Sequence, residues 1–190
     1  MLIKKISLIA CAAAGILLSS FASAQVYVGG SVGKSDTNDR CNYAASCDAK
    51  ATSFKVFGGY DIDKNFAVEA GYFASGTTSR SLNLVPGNSD QKKTGLSLAG
   101  LYKYEFSEAF TGFAKLGIAH LKTDSTYATS GLPPDSGSYS ENQALYGVGL
   151  SYKFNNNLAV RTEFEKYNPK TFSNKGSAVS NFSVGVQYNF

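Results

Sequence analysis

The last eleven residues of the sequence read Ser180-Asn181-Phe182-Ser183-Val184-Gly185-Val186-Gln187-Tyr188-Asn189-Phe190. Apolar residues recur at every second position from Phe182 to Phe190, and small or polar residues fill the positions between them. Successive side chains of a β-strand point to opposite faces, so this alternation predicts a strand with one apolar and one polar face. The apolar face must be covered by protein or by lipid. An edge strand of a soluble β-sandwich and a lipid-facing strand both meet that requirement.

The amino end has the three parts of an export signal. Met1 to Lys5 contain two lysines, Ile6 to Leu18 are mostly apolar, and Ala22-Ser23-Ala24 is a small-x-small cleavage site. The apolar run is too short to span a bilayer, so the pattern favours a Sec signal peptide. We expect residues 1–24 to be cleaved and residues 25–190 to form one domain.

The cysteines indicate two features, a possible lipidation site at the amino end and a disulfide further along the chain. Leu8-Ile9-Ala10-Cys11 resembles a lipoprotein box, in which Cys11 would be the lipidated residue. Cys41 and Cys47 lie six positions apart in a polar segment of an exported chain, which predicts one disulfide. The only histidine is His120, so the two thiols lack the partners that a metal site needs. We expect neither a metal nor a cofactor.

Composition argues against a nucleic-acid partner and favours a membrane barrel. Without Lys4 and Lys5 of the signal, the chain's 18 basic side chains become 16, against 14 acidic ones. That balance is too mild to indicate nucleic-acid binding, and no nucleic-acid motif accompanies it. The 12 Tyr, 13 Phe and 19 Gly, together with a low mean hydropathy, are typical of a transmembrane barrel whose apolar and polar residues alternate.

Alternation recurs along the chain and predicts eight strands, at about 25–34, 52–61, 66–74, 93–105, 110–121, 142–153, 158–167 and 178–190. Long polar loops are predicted at 35–50, 75–91, 122–141 and 168–177, and short turns at 61–65, 106–109 and 154–157. The fold class is therefore all-β, an eight-stranded antiparallel transmembrane β-barrel. Its short turns are periplasmic and its long loops extracellular.

Charged residues recur on the inward face of the predicted strands. If the aromatic-rich face meets lipid, the residues that point into the lumen are Lys55, Glu69, Lys115, Arg161, Glu163 and Glu165. Lys103, Glu105 and Lys153 lie near the periplasmic mouth. An eight-stranded barrel is only just wide enough for its side chains, and buried charges must pair. We predict an interior ion-pair network, with a conducting pore or a proton path as the alternative.

Five of these segments carry a family resemblance, and they are Val26-Tyr27-Val28-Gly29-Gly30-Ser31-Val32-Gly33, Phe57-Gly58-Gly59-Tyr60, Ala67-Val68-Glu69-Ala70-Gly71-Tyr72, Lys115-Leu116-Gly117 and Arg161-Thr162-Glu163-Phe164. They resemble successive strands of the outer membrane protein A (OmpA) transmembrane barrel. The resemblance implies an interior ion-pair network in which Glu69, Lys115, Arg161 and Glu163 match family positions. Ser31 and Ser151 replace an interior lysine and glutamate of the family. The network must therefore be wired differently, with Lys55, Glu165 or both as substitutes.

The closing segment also resembles the last strand of bacterial outer-membrane barrels. In that class the terminal aromatic residue and its alternating partners are the signal that the barrel assembly machinery reads, here Val184, Val186, Tyr188 and Phe190. The resemblance implies insertion in the outer membrane of a Gram-negative bacterium. Its expected partners are outer-membrane lipid and lipopolysaccharide, and a host or surface ligand at the loops.

The expected function is a non-enzymatic surface protein that acts in envelope integrity, adhesion or host contact. One alternative is an outer-membrane enzyme that modifies lipid A, whose chemistry needs a histidine with a serine or acidic partner. His120 has Asp124 and Ser125 close in sequence. Another alternative is a small pore or a passage for small hydrophobic molecules. Such a passage needs an apolar lumen, and the predicted lumen is charged.

Overall fold

The computed structural model describes residues 26–37, 44–47, 50–82, 87–129, 135–169 and 178–190. They form β1 (Val26–Thr37), β2 (Ala44–Cys47), β3 (Lys50–Asp61), β4 (Phe66–Ser75), β5 (Thr78–Leu82), β6 (Gly87–Glu105), β7 (Phe110–Thr129), β8 (Asp135–Lys153), β9 (Leu158–Asn168) and β10 (Val179–Asn189). Apart from the short β2 and β5, eight strands pair antiparallel in a ring. The predicted eight-stranded antiparallel barrel is confirmed. No helix among the described residues is both long enough and apolar enough to cross a membrane.

The ring closes between β6 and β7, which pair from Gly87 opposite Thr129 to Glu105 opposite Thr111. Following paired residues once round the barrel from Lys122 of β7 returns to β7 at Gly112, ten residues nearer its start. This stagger requires the strands to tilt relative to the barrel axis. A barrel of eight strands has an interior just wide enough for side chains.

The end of the barrel that holds Val26 and Phe190 has the three short turns that the sequence predicted. Asp63 Oδ1 accepts hydrogen bonds from the backbone N–H groups of Asn65 and Phe66, both at 2.7 Å. Asn155 Oδ1 does the same for Asn157 at 2.9 Å and Leu158 at 2.8 Å. Asp and Asn form such turns readily, and short turns mark the periplasmic end of an outer-membrane barrel.

The opposite, extracellular end is taller than predicted on one side. Strands β6, β7 and β8 have 19, 20 and 19 residues, whereas β1, β9 and β10 have 12, 11 and 11. The predicted loops 75–91 and 122–141 are therefore wrong over much of their length, because β5 and the extensions of β6, β7 and β8 occupy them. These extensions carry few apolar residues, so hydrogen bonding between strands forms them without an apolar signal in the sequence.

The outer surface of the barrel is apolar. Among the described residues, thirty large apolar side chains expose between 37% and 71% of their surface, and most point outward from the strands. The outward-facing aromatic residues near the periplasmic end are Tyr60, Phe66, Tyr102, Tyr104, Phe110, Tyr152, Tyr188 and Phe190. A water-soluble sandwich rarely exposes so large an apolar area, whereas an apolar band with aromatic rims suits lipid.

Candidate functional site in the barrel lumen

Lysine and glutamate side chains from four strands meet at the middle of the lumen. Lys55 Nζ lies 2.7 Å from Glu165 Oε1 and 2.8 Å from Glu163 Oε2. Lys115 Nζ lies 2.7 Å from Glu69 Oε1 and 3.0 Å from Glu165 Oε1, and it also pairs with Glu163. Each ammonium group therefore has several carboxylate oxygens around it, which compensates its removal from water.

Arg161 completes this cluster from β9. Its Nη1 donates to Glu69 Oε2 at 2.6 Å, and its Nη2 donates to Glu163 Oε1 at 3.1 Å. The guanidinium carbon lies 4.6 Å from the ring centre of Phe57 and 4.1 Å from that of Phe113. A planar cation can donate hydrogen bonds at its edge and stack on aromatic rings at its faces, which lysine cannot do in the same way.

We call this cluster the ionic layer, and its members are Lys55, Glu69, Lys115, Arg161, Glu163 and Glu165. Their side chains are at most 3% exposed. Two tyrosines that sequence analysis did not assign to the network also join it. Tyr27 donates to Glu69 and Tyr167 donates to Glu165, each at 3.1 Å. The structure thus brings together all six charged residues singled out from the sequence, with three positive and three negative charges.

The register explains how the network does without the interior lysine and glutamate of the family. Ser31 of β1 lies directly opposite Lys55 of β3. An ammonium group on the neighbouring strand therefore reaches the same part of the lumen. Ser151 of β8 lies opposite Arg161 of β9. Glu165 lies further along β9 and pairs with Lys55 of β3. Both expected substitutes are part of the network.

An apolar layer lies on the extracellular side of the ionic layer. It consists of Phe73, Leu121, Leu145, Tyr167 and Val179, each at most 2% exposed. Leu121 follows Lys115 on β7 and Tyr167 follows Glu165 on β9, and both strands run toward the extracellular end. The extracellular half of the lumen therefore holds this apolar layer together with buried polar residues such as Lys93 and Asn181. Strand parity identifies inward residues but not the height at which they gather.

The periplasmic mouth contains a cavity of about 350 Å³. Its walls include two ion pairs, Lys103 with Asp61 at 2.7 Å and Lys153 with Glu105 at 2.9 Å. Arg161 lines the cavity where it meets the ionic layer. The cavity thus opens toward the periplasmic end and ends at packed side chains.

A family model for the OmpA-like transmembrane domain matches residues 21–190. The chain belongs to this family. No curated protein sequence matches the chain. Membership places this OmpA-like barrel in an outer membrane.

Several solved structures share the fold of this OmpA-like barrel. Neisserial surface protein A is 14% identical with a TM-score of 0.63, over 87% of this chain and 97% of that chain. OprG of Pseudomonas aeruginosa is 14% identical with a TM-score of 0.58, over 88% and 97%. The attachment invasion locus protein Ail of Yersinia pestis is 17% identical with a TM-score of 0.56, over 87% and 97%. Ail has also been crystallised with the heparin analogue sucrose octasulfate. These identities establish the shared fold alone.

The candidate catalytic residues His120, Asp124 and Ser125 of the OmpA-like barrel do not come together in one site. His120 points outward and its Nδ1 lies 2.9 Å from Asn142 Oδ1. Ser125 has the opposite parity and is 6% exposed on the inner side. Asp124 shares the outer face with His120, but four residues of strand separate them by about 13 Å. The sequence proximity of these three residues is therefore not a catalytic arrangement.

Two predictions about the OmpA-like barrel involve parts outside the described residues. Cys41 lies outside them, and Cys47 is at the end of β2. The disulfide between them stays a prediction, as does cleavage of residues 1–24. The closing strand is described, and Val184, Val186, Tyr188 and Phe190 all point outward with 43–51% of their surface exposed.

Proposed function

We propose that this OmpA-like barrel is a non-enzymatic surface protein that supports envelope integrity and contacts host cells or other surface ligands at its extracellular end. The observation that carries the proposal is the wall formed by β6, β7 and β8, which extends beyond β1, β9 and β10. A transport role would need an open path through the lumen, and the ionic and apolar layers fill the lumen with packed side chains.

The wall has the properties of a display surface. Strands β7 and β8 remain paired as far as Tyr127 opposite Asp135. Residues 135–140 of β8 are all exposed, including Tyr139 at 42%. Paired strands hold polar side chains at a distance from the membrane more rigidly than a loop does, and binding residues are often carried on such scaffolds. The complex of Ail with a heparin analogue supports contact with a sulfated glycan as one form of this function.

A shortened wall tests the proposal. Thr123 lies opposite Tyr139, so deleting residues 124–138 and joining these two residues through Asn-Gly keeps the register below the cut. We expect cells with this variant to adhere less to host cells and to surfaces coated with sulfated glycan. The heat-dependent shift of the folded barrel in gel electrophoresis checks that the variant assembles.

Three assays on the same cells distinguish the functions. Cells without the protein are compared with cells that carry the wild type or the shortened wall, for adhesion, for lipid A modification and for solute uptake. Adhesion alone is expected to change. A change in lipid A structure would instead support an enzyme, and a change in solute uptake would support a pore.

We also propose that the closing strand is the assembly signal of this chain. Tyr188 and Phe190 stack edge to face with ring centres 5.1 Å apart, and the backbone N–H of Phe190 donates to the carbonyl of Val26 at 3.0 Å. Removing Phe190 is expected to lower the amount of protein in the outer membrane much more than its synthesis. Normal outer-membrane levels of the truncated chain would contradict this role.

A further inference from the structure

Three hydrogen-bonding side chains stand side by side on the wall of the periplasmic cavity. Thr111 of β7 lies directly opposite Ser151 of β8, and Ser151 lies directly opposite Arg161 of β9. All three residues line the cavity, whose volume is about 350 Å³. Neighbouring strands are about 4.8 Å apart, so a small group above Ser151 is also within reach of Thr111 and Arg161. The register thus gathers two hydroxyl groups and a guanidinium group at one place.

Two of these side chains are buried and hold a polar atom without a partner. Arg161 is 3% exposed and Thr111 is 7% exposed. Among the described residues, neither Arg161 Nε nor Thr111 Oγ1 has a hydrogen-bond partner. The Nη atoms of Arg161 already donate to Glu69 and Glu163, so Nε is the donor that remains. A buried donor without an acceptor is unfavourable, and this wall therefore favours a ligand that supplies one.

The acidic side chains of the cavity are balanced by lysines. Apart from Arg161, the charged residues of its lining are Asp61, Glu105, Glu108, Lys64, Lys103 and Lys153. Asp61 pairs with Lys103 at 2.7 Å. Glu105 lies directly opposite Thr111 but pairs with Lys153 at 2.9 Å. Because these carboxylates have their own counter-charges, the cavity does not repel an anion as an unpaired acidic cluster would.

Apolar side chains lie beside the three donors. Phe113 follows Thr111 by two residues on β7, and Ala159 precedes Arg161 by two residues on β9, so each shares the inward face of its strand. Leu101 of β6 also lines the cavity. These three side chains are at most 8% exposed. The cavity therefore combines a cluster of donors with a small apolar wall, and it opens toward the periplasm.

We propose that the cavity binds a small monocarboxylate with a short apolar group. One carboxylate oxygen accepts a hydrogen bond from Arg161 Nε and the other accepts one from Thr111, with Ser151 donating between them. The apolar group lies against Leu101 and Ala159. The packed ionic layer closes the far end of the cavity, so the ligand enters and leaves on the periplasmic side. This site goes beyond the proposed function, which concerns the extracellular wall.

Side-chain NMR of arginine tests the site directly. The sequence has three arginines, Arg40, Arg80 and Arg161, so protein with isotope-labelled arginine gives few Nε–H signals. Folded protein in neutral detergent is titrated with sodium propionate and, at equal ionic strength, with sodium chloride or propylammonium chloride. The signal of Arg161 is assigned by its loss in Arg161→Lys. We expect this signal to shift and to saturate with propionate alone.

Thr111→Val keeps the shape of the side chain and removes its hydroxyl group. We expect it to weaken propionate binding about ten-fold, because a hydrogen bond to a charged group contributes at least that factor. Thr126→Val is the matched control, since Thr126 is an exposed residue near the extracellular end of the same strand. It should retain the wild-type affinity. Ser151→Glu supplies a carboxylate from the chain itself, opposite Arg161, and should abolish the response to propionate.

The heat-dependent shift in gel electrophoresis checks that each variant is folded. Several results would overturn the proposal: no saturable response of the Arg161 signal in wild type, an equal response to chloride, equal affinities of Thr111→Val and Thr126→Val, or an unchanged response in Ser151→Glu. The adhesion assay on the shortened wall is independent of these measurements. Failure of the carboxylate site is therefore separable from failure of the proposed function.

Discussion

The ionic layer and the apolar layer fill neighbouring heights of the same lumen with opposite chemistry. In the apolar layer each side chain contributes through the area it buries and the space it fills, so the cost of a substitution follows the volume it removes. In the ionic layer three cations and three anions compensate each other, so the loss of one leaves a buried charge without a partner. A narrow lumen can therefore be filled either by packed apolar side chains or by balanced ion pairs. These two kinds of packing respond differently to substitution.

Arg161→Ala is expected to have the largest effect. It removes one of three cations and leaves Glu69 and Glu163 short of a counter-charge. Breaking a buried pair in this way destabilises a protein by about 3–5 kcal/mol, less if water enters. Urea unfolding of wild type and variant in the same detergent measures the change in the free energy of unfolding.

Arg161→Lys is the matched control, because it keeps the charge but loses the two-sided donation to Glu69 and Glu163 and the stacking on Phe113. We expect a smaller loss of stability than for Ala. An unchanged urea midpoint for Arg161→Ala would show that the ionic layer does not hold the barrel together. Large, stable wild-type channels in planar bilayers would show that the lumen is not closed.

Leu145→Ala tests the apolar layer. Leu145 is 0% exposed, and its truncation leaves a cavity in the layer. We expect a loss of about 2–4 kcal/mol in the free energy of unfolding. Leu145→Val removes less volume and no charge, so it should lose much less stability than Leu145→Ala. A variant as stable as wild type would mean that the apolar layer is not packed as described.

Removing a pair tests charge balance directly. Lys55 and Glu165 are 2.7 Å apart, and the double variant Lys55→Met with Glu165→Gln leaves two cations and two anions. We expect the double variant to be more stable than the sum of the single losses predicts, by about 1–3 kcal/mol. A double-mutant cycle in urea measures this coupling, and strict additivity would show that the two residues act independently.

Lys153→Gln is expected to have the smallest effect. Lys153 pairs with Glu105 at 2.9 Å, but the side chains are 39% and 53% exposed at the periplasmic mouth. Exposed ion pairs contribute about 0–1 kcal/mol and are weakened by salt. The urea midpoint should therefore shift little. A loss comparable with that of Arg161→Ala would mean that the mouth belongs to the stabilising network.

Sequence reasoning found the inward charges because strand parity is a local property. Lys55, Lys115 and Glu165 each lie in a segment whose alternation is clear from the printed residues. The same reasoning missed the apolar layer, since Phe73, Leu121 and Val179 come from strands that are distant in the sequence. It also ended β7 too early, because polar residues such as Thr123 and Ser125 continue the strand through pairing with β8.

The alternation of apolar and polar residues by itself determined the number of barrel strands, their lipid-facing sides and the six charges of the ionic layer. The short turns followed from residues such as Asp63 and Asn155, whose side chains bond to the nearby backbone. Only the tertiary structure decided which ions pair and that Tyr27 and Tyr167 join them. These depend on the register and on the ten-residue stagger, which set the heights at which residues of different strands meet.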